Sequence, residues 1–388
     1  MSLLLTLNAG SSSIKFGVFA PRDGGLDRLA SGLVEGLGGA ARFSAKAAGA
    51  ADQRELAAGA DHQQAMDAVL DWLGATFPGQ PVDAVSHRVV HGGARFAEPV
   101  QVDEQVFEQL REFVPLAPLH QPHNLAGIAA AAKAFASAPQ VACFDTSFHR
   151  SHPFVADTFA LPRAYYEQGI RRYGFHGLSY EFIARQLRQA HPDLYAGRVV
   201  VAHLGNGASM CALRGGRSVA STMGFTALDG LPMGTRCGQI DPGVLLYLIG
   251  ERGMSLDAVT KLLYQQSGLK GMSGISNDVR ELLASDQPGA RDALDYFVDQ
   301  CRREIAGLAA SAGGIDALVL TGGIGENAVE VRARMLRGMG WLGIELDEAA
   351  NQAGVSEISL PTSAVRVLVL RTDEERMLAE HALEIVGQ

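Results

Sequence analysis

The side chains in this sequence best equipped for chemistry stand beside glycine. In Ser86-His87-Arg88-Val89-Val90-His91-Gly92-Gly93, Arg88 sits inside an apolar run where an unpaired guanidinium is costly to bury. Its planar fork suits a carboxylate or phosphoryl group, and a structural ion pair is the plainer alternative. Phe144-Asp145-Thr146-Ser147-Phe148-His149 puts a carboxylate directly after another apolar run, as a metal-orienting or catalytic acid or as a helix N-cap. Arg171-Arg172-Tyr173-Gly174-Phe175-His176-Gly177 brackets His176 with glycines, so the ring is presented rather than packed in a helix. Met233-Gly234-Thr235-Arg236-Cys237-Gly238 presents Arg236 from a loop in the same way.

Three glycine-rich turns accompany these groups. Asn8-Ala9-Gly10-Ser11-Ser12-Ser13-Ile14-Lys15 and His203-Leu204-Gly205-Asn206-Gly207 each end an apolar run, and Gly322-Gly323-Ile324-Gly325-Glu326-Asn327 ends a third. Small residues let backbone N–H groups approach an anion, and the hydroxyls, amides and lysine add donors. For the first turn, an ordinary tight hairpin with a polar tip is the alternative. The third departs from the dinucleotide pattern G-x-G-x-x-G by Ala328 at its last position, and the strand that follows lacks a convincing acidic ribose partner. No G-x-x-x-x-G-K-[ST] loop occurs, so any ATP is held without that architecture. His87, His91, His120, His123, His149, His152 and His176 crowd one stretch but follow no metal-protease spacing. An Asn, Asp, Glu and water shell of the magnesium kind fits better.

The elements that must position these groups alternate short β-type runs with longer helical patterns, which indicates an α/β protein. Leu3 to Leu7 and Ile14 to Phe19 read as a hairpin, Val82 to Val90 and Gln140 to Phe144 as buried strands, and Asp61 to Leu73 and Asn124 to Phe135 as helices. The plan then restarts: Arg198 to His203, Met210 to Arg214 and Arg217 to Ser221 read as strands, followed by helices at Gly243 to Glu251, Leu256 to Gln265, Asp278 to Leu283 and Ala290 to Ala312. Ala317 to Thr321 and Val365 to Leu370 read as further strands, with a helical stretch from Ala328 to Arg337 after the third turn. Two hairpin turns that each follow a strand, one per half, with a glycine-rich loop later, suggest phosphates clamped between two similar domains.

Composition agrees. The 388 residues are 47% hydrophobic with a net charge of −9, which excludes a disordered chain, and 33 Lys+Arg against 42 Asp+Glu gives no nucleic-acid surface. Four scattered cysteines, Cys143, Cys211, Cys237 and Cys301, read as reduced thiols. No run of apolar residues is long enough for a membrane span and the start lacks a basic leader, so a cytoplasmic location is expected.

Taken in order, Leu7-Asn8-Ala9-Gly10-Ser11-Ser12-Ser13-Ile14-Lys15-Phe16, Arg88-Val89-Val90-His91-Gly92-Gly93, Arg172-Tyr173-Gly174-Phe175-His176-Gly177, His203 to Gly207, Met233-Gly234-Thr235-Arg236 and Thr321 to Asn327 closely resemble the acetate kinase family. The resemblance runs from residue 3 to about residue 376. It implies two domains of similar actin-like, ribonuclease H-like α/β core with the nucleotide site in the cleft between them: residues 1–148, completed by a C-terminal helix at 373–388, and residues 149–372. It also implies a homodimer and reversible phosphoryl transfer between ATP and acetate. By position, Asn8 and Glu374 fall at the metal site, for Mg²⁺ with Mn²⁺ as its substitute, and Lys15 at a nucleotide contact. His203, Leu204, Gly205, Asn206, Gly207, Asp278, Val279, Arg280, Gly323, Ile324, Gly325, Glu326 and Asn327 match nucleotide-binding stretches. Arg88 matches the acetate-binding arginine, Asp145 the essential acid, and His176 and Arg236 the transition-state stabilisers. Val90, Leu119, Phe175 and Ala227 match the lining of the methyl pocket. One departure is Thr226-Ala227-Leu228-Asp229-Gly230 in place of the frequent Thr-Pro-Leu-Glu-Gly, which leaves acetate against propionate or butyrate open. A non-catalytic actin-like or Hsp70-like ATP-binding protein would share the turns without needing Arg88, His176 and Arg236.

Acetate is an anion at neutral pH and needs no base to take a proton, so Asp145 is better cast as positioning the metal. The task is to bring a carboxylate to an anionic γ-phosphate, which is positioning and charge neutralisation. Direct in-line transfer is the expectation.

Overall fold

A computed structural model describes residues 2–387 and divides the chain into two compact units. One runs to Phe148 and takes in the chain from Asp373 onward; the other is His149–Thr372.

In the first unit, Leu3–Ala9 (β1) is buried at every position but Asn8, the mark of a strand covered on both faces. Alternate side chains go opposite ways: Leu3, Leu5 and Leu7 join Phe16, Phe43, Met66, Val69 and Trp72 in one core, while Leu4 joins Phe19, Leu26, Ala84, Ala379 and Ala382 in another. The first core is roofed by the helix His62–Thr76, started by an Asp61–Gln64 capping box, and the second by the last helix, Glu374–Val386. Ser13–Arg22 (β2), Gly25–Glu35 (β3), Arg42–Ala47 (β4) and Ala50–Glu55 (β5) continue the sheet antiparallel on one side. On the other, Val82–Val89 (β6) and Gln140–Phe144 (β8) run parallel to β1, with Val100–Gln101 (β7) antiparallel at the edge.

The second unit repeats the plan. Arg198–Leu204 (β9), Ala208–Arg214 (β10) and Arg217–Ser221 (β11) form a meander, and Ala317–Thr321 (β12) and Arg366–Val369 (β13) extend it in parallel. The order β3-β2-β1-β6-β8 of the first sheet matches β11-β10-β9-β12-β13 of the second, the arrangement of an actin-like, ribonuclease H-like core. Pro288–Ala312 lays Ala290, Leu294, Phe297, Cys301, Ile305, Leu308 and Ala312 on the buried side, a spacing of three and four that makes one helical stripe.

Two expectations are corrected. The third glycine turn is no loop: Gly322–Asn327 is itself a short helix leaving β12, with Val329–Leu336 after it. The strands β3 to β5 were not expected: β3 mixes polar and small residues without a clean period and β5 is almost wholly exposed, while the alternation of β4, with Phe43, Ala45 and Ala47 buried, was there to be read and was passed over.

Candidate active site

In the first unit, three parallel strands bring their carboxyl ends side by side, the edge at which open α/β sheets hold ligands. Leu7 pairs with His87 and Arg88 with Cys143, so Asn8 of β1, Arg88 of β6 and Asp145 just beyond β8 form a row. The Gly10 N–H donates to the Ser13 carbonyl and closes the first glycine turn. Arg88 donates from Nε to Asp145 Oδ1 at 2.9 Å and from Nη2 to Oδ2 at 2.7 Å. Its Nη1 stands 3.8 Å from Glu374 Oε2, the first residue of the last helix. Burial alone would pull the guanidinium down, but the Asp145 and Glu374 carboxylates outweigh it and hold Arg88 above the usual arginine range. Burial pushes the Asp145 carboxyl up against the pull of Arg88, and Glu374 adds to the rise. The Asp145 and Glu374 carboxylates thus converge on one guanidinium. Those carboxylates and the Asn8 amide at the end of β1 are hard-oxygen donors of the kind Mg²⁺ takes, with water and phosphate completing its shell; by donor type the residues present fit that ion.

Asn124, which sequence reasoning passed over, accepts from the Val90 N–H at 3.0 Å and donates to the Ala9 carbonyl at 2.8 Å. It ties the first glycine turn to the end of β6. Lys15 on β2 places Nζ 2.5 Å from Glu375 Oε1 and lines no part of the cavity described next.

In the second unit, β9 and β12 end beside each other, and a cavity of about 530 Å³ opens at that edge. It is lined by Gly205, Asn206, Asp278, Val279, Arg280, Gly323, Ile324 and Asn327, and by Asn277, Leu283, Ala328 and Val329, which were not expected at the site. Its size and its mixture of apolar walls with amide, carboxylate and guanidinium groups suit a nucleoside. Arg280 grips Asp278 through Nε and Nη2 and pulls that carboxyl down to about 2. Gly322 has φ +77°, and a Cβ there would meet the Leu204 carbonyl at 2.7 Å, so only glycine lets the two strand ends approach so closely.

His203, Leu204, Gly207, Gly325 and Glu326 do not line the cavity. Leu204 is buried in β9, and Glu326 turns back to accept from the Thr321 hydroxyl, the Gly322 N–H and the Thr372 N–H. Buried Arg332, also missed, donates to the Gly325 and Glu326 carbonyls and to Asn351. It braces the glycine-rich turn from behind.

His176 and Arg236 come together at the second turn. A methyl group built on Gly207 would lie 3.3 Å from His176 Nε2 and 3.4 Å from Arg236 Nη2. Arg236 is fixed by donation from Nη1 to the Ala227 carbonyl at 2.7 Å. His176 is not merely presented by flanking glycines: it caps the helix Gly177–Ala190 with φ +57° and stacks on His203 at 4.4 Å. Of the expected methyl-pocket residues, Val90 and Leu119 belong to the first unit and Phe175 and Ala227 to the second. Leu119 is 43% exposed and Phe175 only 2%.

The profile described as the acetokinase family matches residues 3–380. The chain is 54% identical to the acetate kinase of Methylocella silvestris, covering 99% of this chain and 98% of that one. It is 51% identical to that of Nitrobacter hamburgensis, covering 100% and 96%. Among solved structures, the acetate kinase of Porphyromonas gingivalis superposes with a TM-score of 0.90 at 36% identity, over 99% of this chain and 100% of that one. A propionate kinase from Francisella tularensis gives 0.93 at 34%, over 98% and 99%. This chain belongs to the acetokinase family.

Proposed function

We propose that the protein is an acetate kinase, transferring the γ-phosphoryl group of ATP reversibly to acetate to give acetyl phosphate and ADP. The full-length match to acetate kinases at 51% and 54% identity carries the reading. Arg88, its Nε–Nη2 edge held by Asp145, offers its remaining donors to the acetate carboxylate. His176 and Arg236, aimed at the Gly207 turn, meet the charge of the moving phosphoryl group, and the 530 Å³ cavity takes the nucleoside. Asn8, Glu374 and Asp145 are the residues that would hold Mg²⁺. When bound, that ion supplies charge neutralisation at the phosphates. Acetate attacks phosphorus directly, the bond to the ADP oxygen breaking as the carboxylate–phosphorus bond forms, with no covalent enzyme intermediate. Net inversion at a chiral phosphoryl group is the expected outcome; net retention would sink the direct transfer.

Propionate or butyrate is the second reading, favoured by Ala227 and by the structural likeness to a propionate kinase. Hydroxylamine trapping of acyl phosphate with ATP and formate, acetate, propionate or butyrate in parallel decides it. Acetate should give the most product, and butyrate giving product where acetate gives none would overturn the assignment. We place the enzyme in the cytoplasm, where ATP is made and spent, and as a homodimer. The helix Pro242–Gly250 supports the dimer: it buries no residue and exposes Val244, Leu246, Tyr247 and Ile249, Leu246 by 73%, a patch that a second copy would cover.

A further inference from the structure

Behind His176 lies a short chain of hydroxyls that the transfer reaction does not itself require. His176 Nδ1 is 2.8 Å from Ser209 Oγ, and Ser209 Oγ is 2.5 Å from Tyr180 Oη. Ser209 and Tyr180 are both fully buried, so water does not compete for these bonds. We infer that Tyr180 and Ser209 are positioning residues that hold His176 in one neutral tautomer, with its proton on Nε2 facing the Gly207 turn.

The direction of the chain follows from acidity. A phenol, with a pKa of about 10, is a far better donor than an aliphatic alcohol. Tyr180 therefore donates to Ser209 Oγ, whose single proton is left to donate to His176 Nδ1. A ring that accepts at Nδ1 carries its proton on Nε2, the nitrogen beside the Gly207 turn and Arg236 Nη2. There an N–H donates to a phosphoryl oxygen, whereas the opposite tautomer would aim a lone pair at an anion. The backbone is pinned too. His176 sits at φ +57°, and the preceding Phe175 carbonyl accepts from His149 Nε2 at 3.0 Å, an arrangement that strained positions need from their surroundings. His203, stacked on His176, has the same backing: its Nδ1 is 2.8 Å from Ser179 Oγ, which is 2.8 Å from Thr372 Oγ1. The ionisable groups around His176 include His203, Arg236, Tyr180 and, across the Tyr180 ring, His149.

The inference rests on the proposed role of His176 in phosphoryl transfer, but its first test reads the imidazole alone. Two-bond ¹H–¹⁵N spectra of the full-length protein labelled with [¹⁵N]histidine, with the His176→Asn spectrum for assignment, should show Nδ1 unprotonated and Nε2 protonated near neutral pH. Tyr180→Phe frees Ser209 to accept, and protonated Nδ1 should appear. With it, kcat should fall roughly tenfold while the KM values for ATP and acetate move less than about twofold, the size expected for one hydrogen bond acting in the transition state. Ser209→Ala should behave alike and Ser209→Thr, which keeps the hydroxyl, should restore both spectrum and kcat; this pair carries the test if Tyr180→Phe does not fold. A wild-type ring protonated on Nδ1, or variants with an unchanged tautomer, overturns the inference. If no acid is phosphorylated at all, the proposed function fails while the spectra still decide the relay.

Discussion

Arg88 and Arg236 are held differently, and their variants should differ accordingly. Arg88 is clamped through two nitrogens by one carboxylate with a second nearby. Arg88→Ala therefore removes a substrate contact and also takes the guanidinium away from Asp145 and Glu374. Arg236 donates from Nη1 to the Ala227 backbone carbonyl, so Arg236→Ala removes a donor at the transferring group together with that tether. Steady-state kinetics should show kcat/KM for acetate down by roughly 10²-fold or more in each, the range for losing a positioned transition-state donor. Lysine should rescue poorly at position 88, since an ammonium cannot reproduce the fork held by Asp145. Folded variants of both with near-normal turnover would remove the assigned roles. Residue type and glycine setting made both arginines readable in the sequence. The Asp145 partner was not, because it lies 57 residues away and only the parallel pairing of β6 with β8 brings the two together. The hydroxyls of Tyr180, Ser179 and Thr372 escaped notice for the same reason: a serine or tyrosine gains meaning only from the ring that it faces.

At the level of elements, the turn at Gly322 makes a sharper prediction than its motif does. Gly322→Ala must place a Cβ 2.7 Å from the Leu204 carbonyl at φ +77°, whereas a Cβ on neighbouring Gly323 meets nothing within 4 Å. Thermal unfolding should therefore drop by several degrees for Gly322→Ala, which costs on the order of 1–3 kcal/mol, and stay near wild type for Gly323→Ala. Equal losses in the two would show that the motif's glycines serve some common purpose other than strand approach. The glycine spacing was plain in the sequence, but the helix beginning at Gly322 was hidden because glycine ranks near the bottom of helix propensity; Arg332 and Glu326 hold the turn from behind. The strand β6 carries a second consequence. His87 is buried, and burial lowers it to about 4 from 6.5 against the hydrogen bond to Gln140. The unfolded chain binds this proton where the folded chain does not, so stability is lost as pH falls from about 6.5 toward 4, by on the order of 3 kcal/mol across that window. His87→Gln should lessen the pH dependence of the melting temperature there without abolishing it, because His149, also buried, is lowered to about 4 as well; an unchanged slope would mean that other groups govern it.

For the whole molecule, the repeat was readable from the strand-turn-strand plan in each half, since buried parallel strands are continuous apolar runs, but the sheet order, which includes the unexpected β3, was not. The last helix is the part that couples remote ends of the chain. Glu374–Val386 covers the face made by Leu4, Phe19, Leu26 and Ala84 with Ala379 and Ala382, and it delivers Glu374 to Arg88. Ending the chain at Thr372 strips one face of the first sheet and one carboxylate from its site, while leaving the second unit's cavity lining intact. The two tryptophans separate these effects: Trp72 is 7% exposed in the first unit's core and Trp341 is 73% exposed in the second unit. In a Trp341→Phe background the truncated chain should show red-shifted Trp72 emission, because a sheet stripped of one face loses its packing and lets water reach the ring held on the other face. The truncated chain without that substitution should still bind ATP, followed by quenching or calorimetry, yet make no acyl phosphate. Blue, native-like Trp72 emission after truncation would mean that the first sheet keeps its core without the helix. Loss of ATP binding along with the emission shift would mean that the nucleotide cavity depends on the first unit, so that the two repeats fold as one cooperative body rather than as separate ones.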